Sequence, residues 1–162
     1  MVRIGIGFDL HRFQKGRQLY LGGLEINYPE GLAGHSDGDV VLHAICDAIL
    51  GALAKPDIGC LFPDTDPSLK GMNSAKIVKK IREIMSEAAV VISNLDIIIV
   101  CQAPKLSPVY QDIRKNLANL FDISPEQIGV KAKTAEHLGP LGQGKAIACW
   151  ASVLLQPVTS RI

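Results

Sequence analysis

At 162 residues the chain has the length of one domain, taken at roughly 150 residues each, and buries about two thirds of the surface its unfolded form exposes. Hydrophobic residues make up 48% and charged residues 20%, with 15 glycines and 9 prolines, which sets the chain apart from disordered and low-complexity sequences. Seventeen Lys and Arg against sixteen Asp and Glu leave a net charge of +1, so the basic excess that drives binding to nucleic acid or anionic membranes is absent and neither partner is expected.

The first residues, Met1 to Gly7, hold no apolar core followed by a small-residue cleavage site and no Arg/Ser-rich leader, and the expected location is the cytoplasm. The strongest apolar runs, Ile97 to Cys101 and Ala146 to Leu155, fall far short of the roughly 20 residues that cross a bilayer. Residues 2 to 11 alternate: Val2, Ile4, Ile6, Phe8 and Leu10 lie on one side and Arg3, Gly5, Gly7, Asp9 and His11 on the other, predicting a strand with one core face. The Gly22-Gly23 link between Leu19-Tyr20-Leu21 and Leu24-Glu25-Ile26 predicts a hairpin, followed by a Gly-rich loop. Ser36 with Asp39 three residues on reads as a capping-box-like start to a helix over 39–54, burying Val40, Leu42, Ile45, Ile49 and Leu53.

Residues 55–73, broken by Pro56, Gly59, Pro63, Pro67 and Gly71, predict an irregular loop carrying Asp57, Asp64 and Asp66. Ser74 is placed to cap a second helix to about Ala88, with Ile77, Val78, Ile81, Ile84 and Met85 opposite a solvated face of Lys76, Lys79, Lys80 and Glu83. Leu95 to Cys101 reads as a buried strand, Ser107-Pro108 opens a third helix, and Ile128 to Lys133 and Ala146 to Leu155 read as closing strands. The expected class is α/β, in an α+β-like two-layer form with a mixed sheet and helices packed on one face, all within a single domain over 1–162. Cysteines 46, 60, 101 and 149 form no Cys-x-x-Cys pair and sit mostly in apolar surroundings, as reduced thiols do.

Asp9 and His11 leave the same face of the first strand, the side cleared by Gly5 and Gly7. His43 lies one helical turn after Asp39 and one before Asp47, where either carboxylate is spaced to orient its second ring nitrogen. One Asp and two His make a three-ligand zinc site with an open fourth position, the arrangement of catalytic zinc. The alternative is that Asp9 hydrogen-bonds loop amides and both histidines are ordinary polar groups. His35-Ser36-Asp37-Gly38-Asp39 precedes a helix N-terminus, where free amides and the helix dipole attract a phosphate; the alternative there is a plain cap beside a loop histidine. Gly139 to Lys145 has P-loop spacing, but Ala146 replaces the Ser/Thr that holds magnesium, and Gly5-x-Gly7 lacks a third glycine at Leu10. Neither nucleotide motif is complete.

Five segments in order carry a further signal: Gly7-Phe8-Asp9-Leu10-His11; His35 to Asp39 with His43; Asp57-Ile58-Gly59 with Phe62-Pro63-Asp64-Thr65-Asp66; Ala103-Pro104-Lys105; and Lys131-Ala132 with Thr134 and Glu136. Together they resemble the 2-C-methyl-D-erythritol 2,4-cyclodiphosphate synthase family, from the first strand to about Leu155. The resemblance implies a homotrimer of α/β subunits with active sites between neighbours. The implied reaction converts a cytidine-diphospho methylerythritol 2-phosphate into the cyclic diphosphate and CMP, in non-mevalonate isoprenoid synthesis. It further implies zinc, or another divalent transition metal, on Asp9, His11 and His43, and a second ion, magnesium or manganese, on Glu136. His35 and Ser36 would meet the substrate phosphates, with Asp57, Ile58, Gly59, Phe62, Pro63, Asp64, Thr65 and Asp66 around the methylerythritol part. Cys101, Gln102, Ala103, Pro104, Lys105, Leu106 and Ser107 would line the cytidine pocket with Lys133, Thr134, Ala135 and Glu136, and His35 and Thr134 would donate hydrogen bonds during transfer.

The chain departs from the family where Lys133-Thr134-Ala135-Glu136 stands for Thr-Thr-x-Glu, and where Pro140 and Gln143 replace the Phe and Arg of Gly-Phe-x-Gly-Arg. That Phe and Arg are associated with a central trimer channel and its isoprenoid diphosphate ligand, so weak or absent binding is expected. Two other readings of the same residues are a zinc-dependent phosphate-ester hydrolase and a non-catalytic trimeric protein binding diphosphate metabolites.

Overall fold

A computed structural model describes residues 1–63, 65 and 71–158. Its strands are β1 (Arg3–Lys15), β2 (Leu19–Leu21), β3 (Leu24–Ile26), β4 (Glu30–Leu32), β5 (Val90–Val100), β6 (Ile128–Lys133) and β7 (Ala146–Pro157). Its helices are α1 (Val40–Ala52), α2 (Ile58–Leu61), α3 (Ser74–Glu87), α4 (Tyr110–Phe121) and α5 (Gly139–Gly142). Five strands form a mixed sheet in the order β4-β1-β7-β5-β6, with β5 and β6 parallel and the other neighbours antiparallel. The β2-β3 hairpin stands apart, turned by Gly22 and Gly23 at φ 64° and 75°, a left-handed pair that favours glycine.

Which side of β1 meets the core reverses the expectation that apolar alternation carries. Gly7, Ala151 and Ile97 stand in one row across β1, β7 and β5 on the helix side. Phe8, Trp150 and Ile98 form the next row, on the other face. A Cβ added to Gly5 would lie 1.9 Å from the Ala48 carbonyl oxygen, and one on Gly7 2.0 Å from that of Ala44, so α1 rests directly on the β1 backbone. The apolar side is bare instead: Ile4 is 71% and Ile6 72% exposed, and the rings of Phe8 and Trp150 pack 4.5 Å apart in the open. Close backbone approach has taken the place of side-chain burial on this strand.

Local chemistry moves several boundaries. Asp39, not Ser36, caps α1, its Oδ1 accepting the N–H groups of Val41 and Leu42 at 3.1 and 3.0 Å. The same fully buried carboxylate accepts the N–H groups of Gly22 and Gly23 at 2.9 and 2.6 Å, which pins the hairpin turn to the helix start. Asn73, not Ser74, caps α3. The stretch read as irregular contains α2, which Asp57 caps by accepting from Cys60 N–H at 2.9 Å. The loop after the hairpin includes β4, paired with the end of β1. Helix α4 is preceded by a 3-10 turn at Ser107–Val109, and β5 begins at Val90 rather than Leu95. Cys46, Cys101 and Cys149 are buried free thiols, while Cys60 is exposed.

Candidate active site

The contact between β1 and α1 sets the site. Asp9 and His11 project from β1 towards α1, and His43 sits in the second turn of that helix, buried to 7% exposure. Asp9 Oδ2 lies 2.9 Å from both His11 Nε2 and His43 Nδ1, and the two ring nitrogens are 3.2 Å apart. Asp9 Oδ1 accepts its neighbour Leu10 N–H at 2.8 Å, so one oxygen serves the backbone while the other faces the histidines. Three donor atoms at these separations form a triangle only slightly tighter than the ~3.3 Å spacing around a tetrahedral ion with bonds of about 2.0–2.1 Å. The cluster fits a divalent metal.

The charges agree with that use. Burial acts to raise the Asp9 carboxyl, but hydrogen bonds and positive charge from His11 and His43 outweigh it and hold Asp9 well below the usual carboxylate range. Burial acts to lower His43, yet the hydrogen bond to Asp9 and the charges of Asp9, Asp39 and Asp37 raise it. Burial, with Asp57 and Asp9 nearby, holds the Asp47 carboxyl above its ordinary value despite a hydrogen bond from Ile58 N–H.

Neither carboxylate spaced for the role orients the back of His43. Asp39 is occupied by four N–H groups, and Asp47 accepts Ile58 N–H at 2.8 Å. The ring's Nε2 instead faces two hydroxyls, Ser36 Oγ at 3.1 Å and Ser74 Oγ at 3.0 Å. Ser74 and its partner Asp37 carried no signal for this in the sequence, because the pairing spans 37 residues and joins a loop to the start of α3.

A cleft of about 230 Å³ opens over the cluster. Asp9, His11, His35, Ser36, His43 and Asp47 line its polar wall, and Ile58, Gly59, Phe62, Pro63, Met72 and Ile77 its apolar one. Asp57 caps α2 at its edge, Thr65 is exposed, and Asp64 and Asp66 lie outside the described residues. The His35 loop is tied down from outside: Arg17 donates to the carbonyls of Gly34 and Ser36, and Gly71 N–H to that of His35 at 2.6 Å.

The remaining predicted residues gather elsewhere. Cys101 to Ser107 follow β5 and Lys133 to Glu136 end β6. Lys133, Val100, Ala148 and Leu10 occupy one row of the sheet, so β6 stands three strand spacings, roughly 14 Å, from β1. None of residues 101–107 or 133–143 lines the cleft. Thr134 Oγ1 donates to Glu136, and Glu136 and the unpredicted His137 both adopt left-handed backbone, φ 49° and 62°. Gln102 Oε1 is buried without a hydrogen-bond partner among the described residues, while its Nε2 is 3.5 Å from His137 Nε2. Burial pushes the Cys101 thiol up to about 11, so it is protonated near neutrality and no nucleophile. Pro140 and Gln143 are exposed on and after α5.

Sheet and cluster together define an α/β protein with a site suited to a divalent metal in an open cleft. Comparison with known proteins then places it more closely. The YgbB family model matches residues 2–156, and the chain belongs to that family. It is 51% identical to the 2-C-methyl-D-erythritol 2,4-cyclodiphosphate synthase of Fusobacterium nucleatum subsp. nucleatum, over 96% of this chain and 98% of that protein. It is also similar to IspF of Plasmodium falciparum in complex with CDP, at 40% identity and TM-score 0.86 over 98% of this chain and 97% of that one. The bifunctional IspDF of Campylobacter jejuni matches at 40% identity and TM-score 0.92; this chain covers 42% of its length and 97% of its own. The family resemblance read from five short motifs is borne out along the whole chain. No helix among the described residues is long and apolar enough to cross a membrane.

Proposed function

We propose that the protein converts 4-diphosphocytidyl-2-C-methyl-D-erythritol 2-phosphate into 2-C-methyl-D-erythritol 2,4-cyclodiphosphate with release of CMP, in the cytoplasm, for non-mevalonate isoprenoid synthesis. The observation that carries this is the Asp9/His11/His43 triangle opening into a cleft with His35 and Ser36, on a chain about half identical to synthases of that name. The substrate's own 2-phosphate is the nucleophile and is already ionised near neutrality. The site therefore needs no activated side chain, which fits the inert Cys101.

What remains is positioning and charge balance. His35 and Ser36 hold the attacking end in the cleft while the tied loop keeps them there. Asp57, Gly59, Asp64 and Asp66 surround the methylerythritol part. Zinc on Asp9, His11 and His43, and magnesium or manganese on Glu136, would supply charge withdrawal from the phosphate oxygens when bound. Thr134 turns its hydroxyl from Glu136 to phosphate, donating a hydrogen bond as charge shifts towards the departing CMP. Residues 101–107 and 133–136 hold the cytidine, and Gln102 Oε1, without a partner among the described residues, is an acceptor in that segment.

Because those cytidine segments stand across the sheet from the cleft, a complete site forms between neighbours in a homotrimer. The bare face of Ile4, Ile6, Phe8, Leu10 and Trp150 supports the same assembly, since uncovered apolar area of this kind marks an interface. The test is mass spectrometry of products from the cytidine-diphospho substrate with zinc and magnesium. Cyclic diphosphate with CMP is expected. Inorganic phosphate would make the protein a hydrolase, and unchanged substrate a binding protein.

A further inference from the structure

Two hydroxyls face the back of the His43 ring, and what each does depends on where its single proton goes. Ser74, fully buried at the start of α3, makes a short hydrogen bond through Oγ to Asp37 Oδ1. Asp37 Oδ2 accepts the Ser74 backbone N–H at 2.9 Å, so the carboxylate grips this residue twice. A carboxylate only accepts, which commits the Ser74 proton to Asp37 and leaves an oxygen lone pair facing His43 Nε2 at 3.0 Å. His43 answers with an N–H at Nε2. A neutral imidazole protonated there carries its lone pair on Nδ1, the atom aimed at Asp9 Oδ2 and His11 Nε2. Ser36 imposes no such choice: its Oγ accepts Gly38 N–H at 3.1 Å and no carboxylate among the described residues takes its proton.

We propose that Asp37 and Ser74 form a tautomer lock on His43, positioning residues that hold its proton on Nε2 and so keep Nδ1 available to a metal. This rests on the reading of Asp9, His11 and His43 as metal ligands. Outer partners of ligating histidines act in this way by fixing ring orientation and tautomer, and their loss lowers metal affinity by about 10–100-fold. Here the partner is a serine hydroxyl at the start of α3, polarised by an aspartate from the loop before α1.

The first measurement is imidazole nitrogen NMR on the unmodified, zinc-loaded protein. His43 with a protonated Nε2 and a metal-bound Nδ1 is expected, and the opposite tautomer overturns the proposal. The second is zinc affinity by competition with a chromophoric chelator, beside far-ultraviolet circular dichroism. Ser74→Ala is expected to weaken zinc by about 10–100-fold with secondary structure retained. Asp37→Asn should act in the same direction, since either amide orientation sets an N–H against the backbone N–H of Ser74 or Asp39, both of which Asp37 now accepts. The double variant should bind no more weakly than Ser74→Ala alone, because Asp37 acts through Ser74. Unchanged affinity in folded Ser74→Ala overturns the lock. Absence of zinc binding by the unmodified protein overturns the metal reading beneath it. Should Ser74→Ala fail to fold, Asp37→Asn and the unmodified protein's tautomer decide the matter.

Discussion

Asp9 Oδ2 and His43 Nδ1 stand 2.9 Å apart although 34 residues separate them, because the strand and helix that carry them touch backbone to backbone. Gly5 and Gly7 make that contact possible. The metal-fitting geometry is thus set by two residues that bear no functional group.

Gly7→Ala would place a methyl 2.0 Å from the Ala44 oxygen and 2.6 Å from the Ala48 nitrogen, both backbone and unable to rotate away. The expected outcome is a loss of at least about 1–3 kcal/mol in denaturant unfolding, with zinc stoichiometry reduced as β1 is pushed from α1. Gly51→Ala is the control. Its methyl meets nothing nearer than 3.8 Å in a helical position, and a gain of about 0.5–1 kcal/mol is expected.

The pH dependence of the metal-free and loaded proteins should run in opposite directions. Asp9 is held below its unfolded value of about 3.9, so its stabilisation is present above that value and lost as pH falls through the folded one. His43 is raised above about 6.5, so its stabilisation is complete below about 6.5 and lost as pH rises through the folded value. The metal-free pair therefore contributes most between about pH 4 and about pH 6.5, whereas a metal needs unprotonated Nδ1 and gains as pH rises. The zinc-induced increase in Tm should grow from about pH 5.5 to about pH 8. A constant or shrinking increase would count against this, and His43→Ala should abolish zinc uptake at every pH.

The proposed sharing of sites between chains predicts complementation. His11→Ala and Glu136→Ala chains, each inactive alone, should recover part of the activity when mixed and reassembled, since one kind of mixed interface carries both intact halves. Native mass spectrometry would show that mixed trimers form. Mixed trimers as inactive as their parents would contradict a site built from two chains.

Gln143 offers a neutral amide where the resembled family has a guanidinium. Loss of one charge-assisted contact costs on the order of 1.5–3 kcal/mol, about ten- to a hundredfold in affinity. Calorimetry should show weak or no binding of geranyl or farnesyl diphosphate, restored in part by Gln143→Arg. Tight binding by the unmodified protein would refute the expectation, while an inert Gln143→Arg would shift the cause to the shape Pro140 imposes.

Much of this was legible in the residues. Asp9 and His11 were singled out by period-two spacing beside two glycines, and His43 by its place one helical turn from both Asp39 and Asp47, although neither of those carboxylates orients it. The core face of β1 was misread because alternation reports which residues share a side, not which side a partner covers; Ile4 and Ile6 are apolar and exposed. Asp39 and Ser74 were misassigned for a related reason. A cap is chosen locally, but Asp39 also serves Gly22 and Gly23, and Ser74 serves Asp37 and His43, contacts that exist only after folding. The separation of the cleft from residues 101–107 and 133–136 was beyond any spacing rule, since strand order decides it.

In the proposed trimer, the bare face of β1 and β7 would also couple abundance to survival. A lone chain displaying Ile4, Ile6, Phe8 and Trp150 to water would be a target for chaperones, and in that assembly it would gain protection by meeting copies of itself. Its stability would then depend on how many copies the cell holds. A modest fall in expression would cost more than a proportional share of active enzyme, because the dilute chains are the ones cleared first.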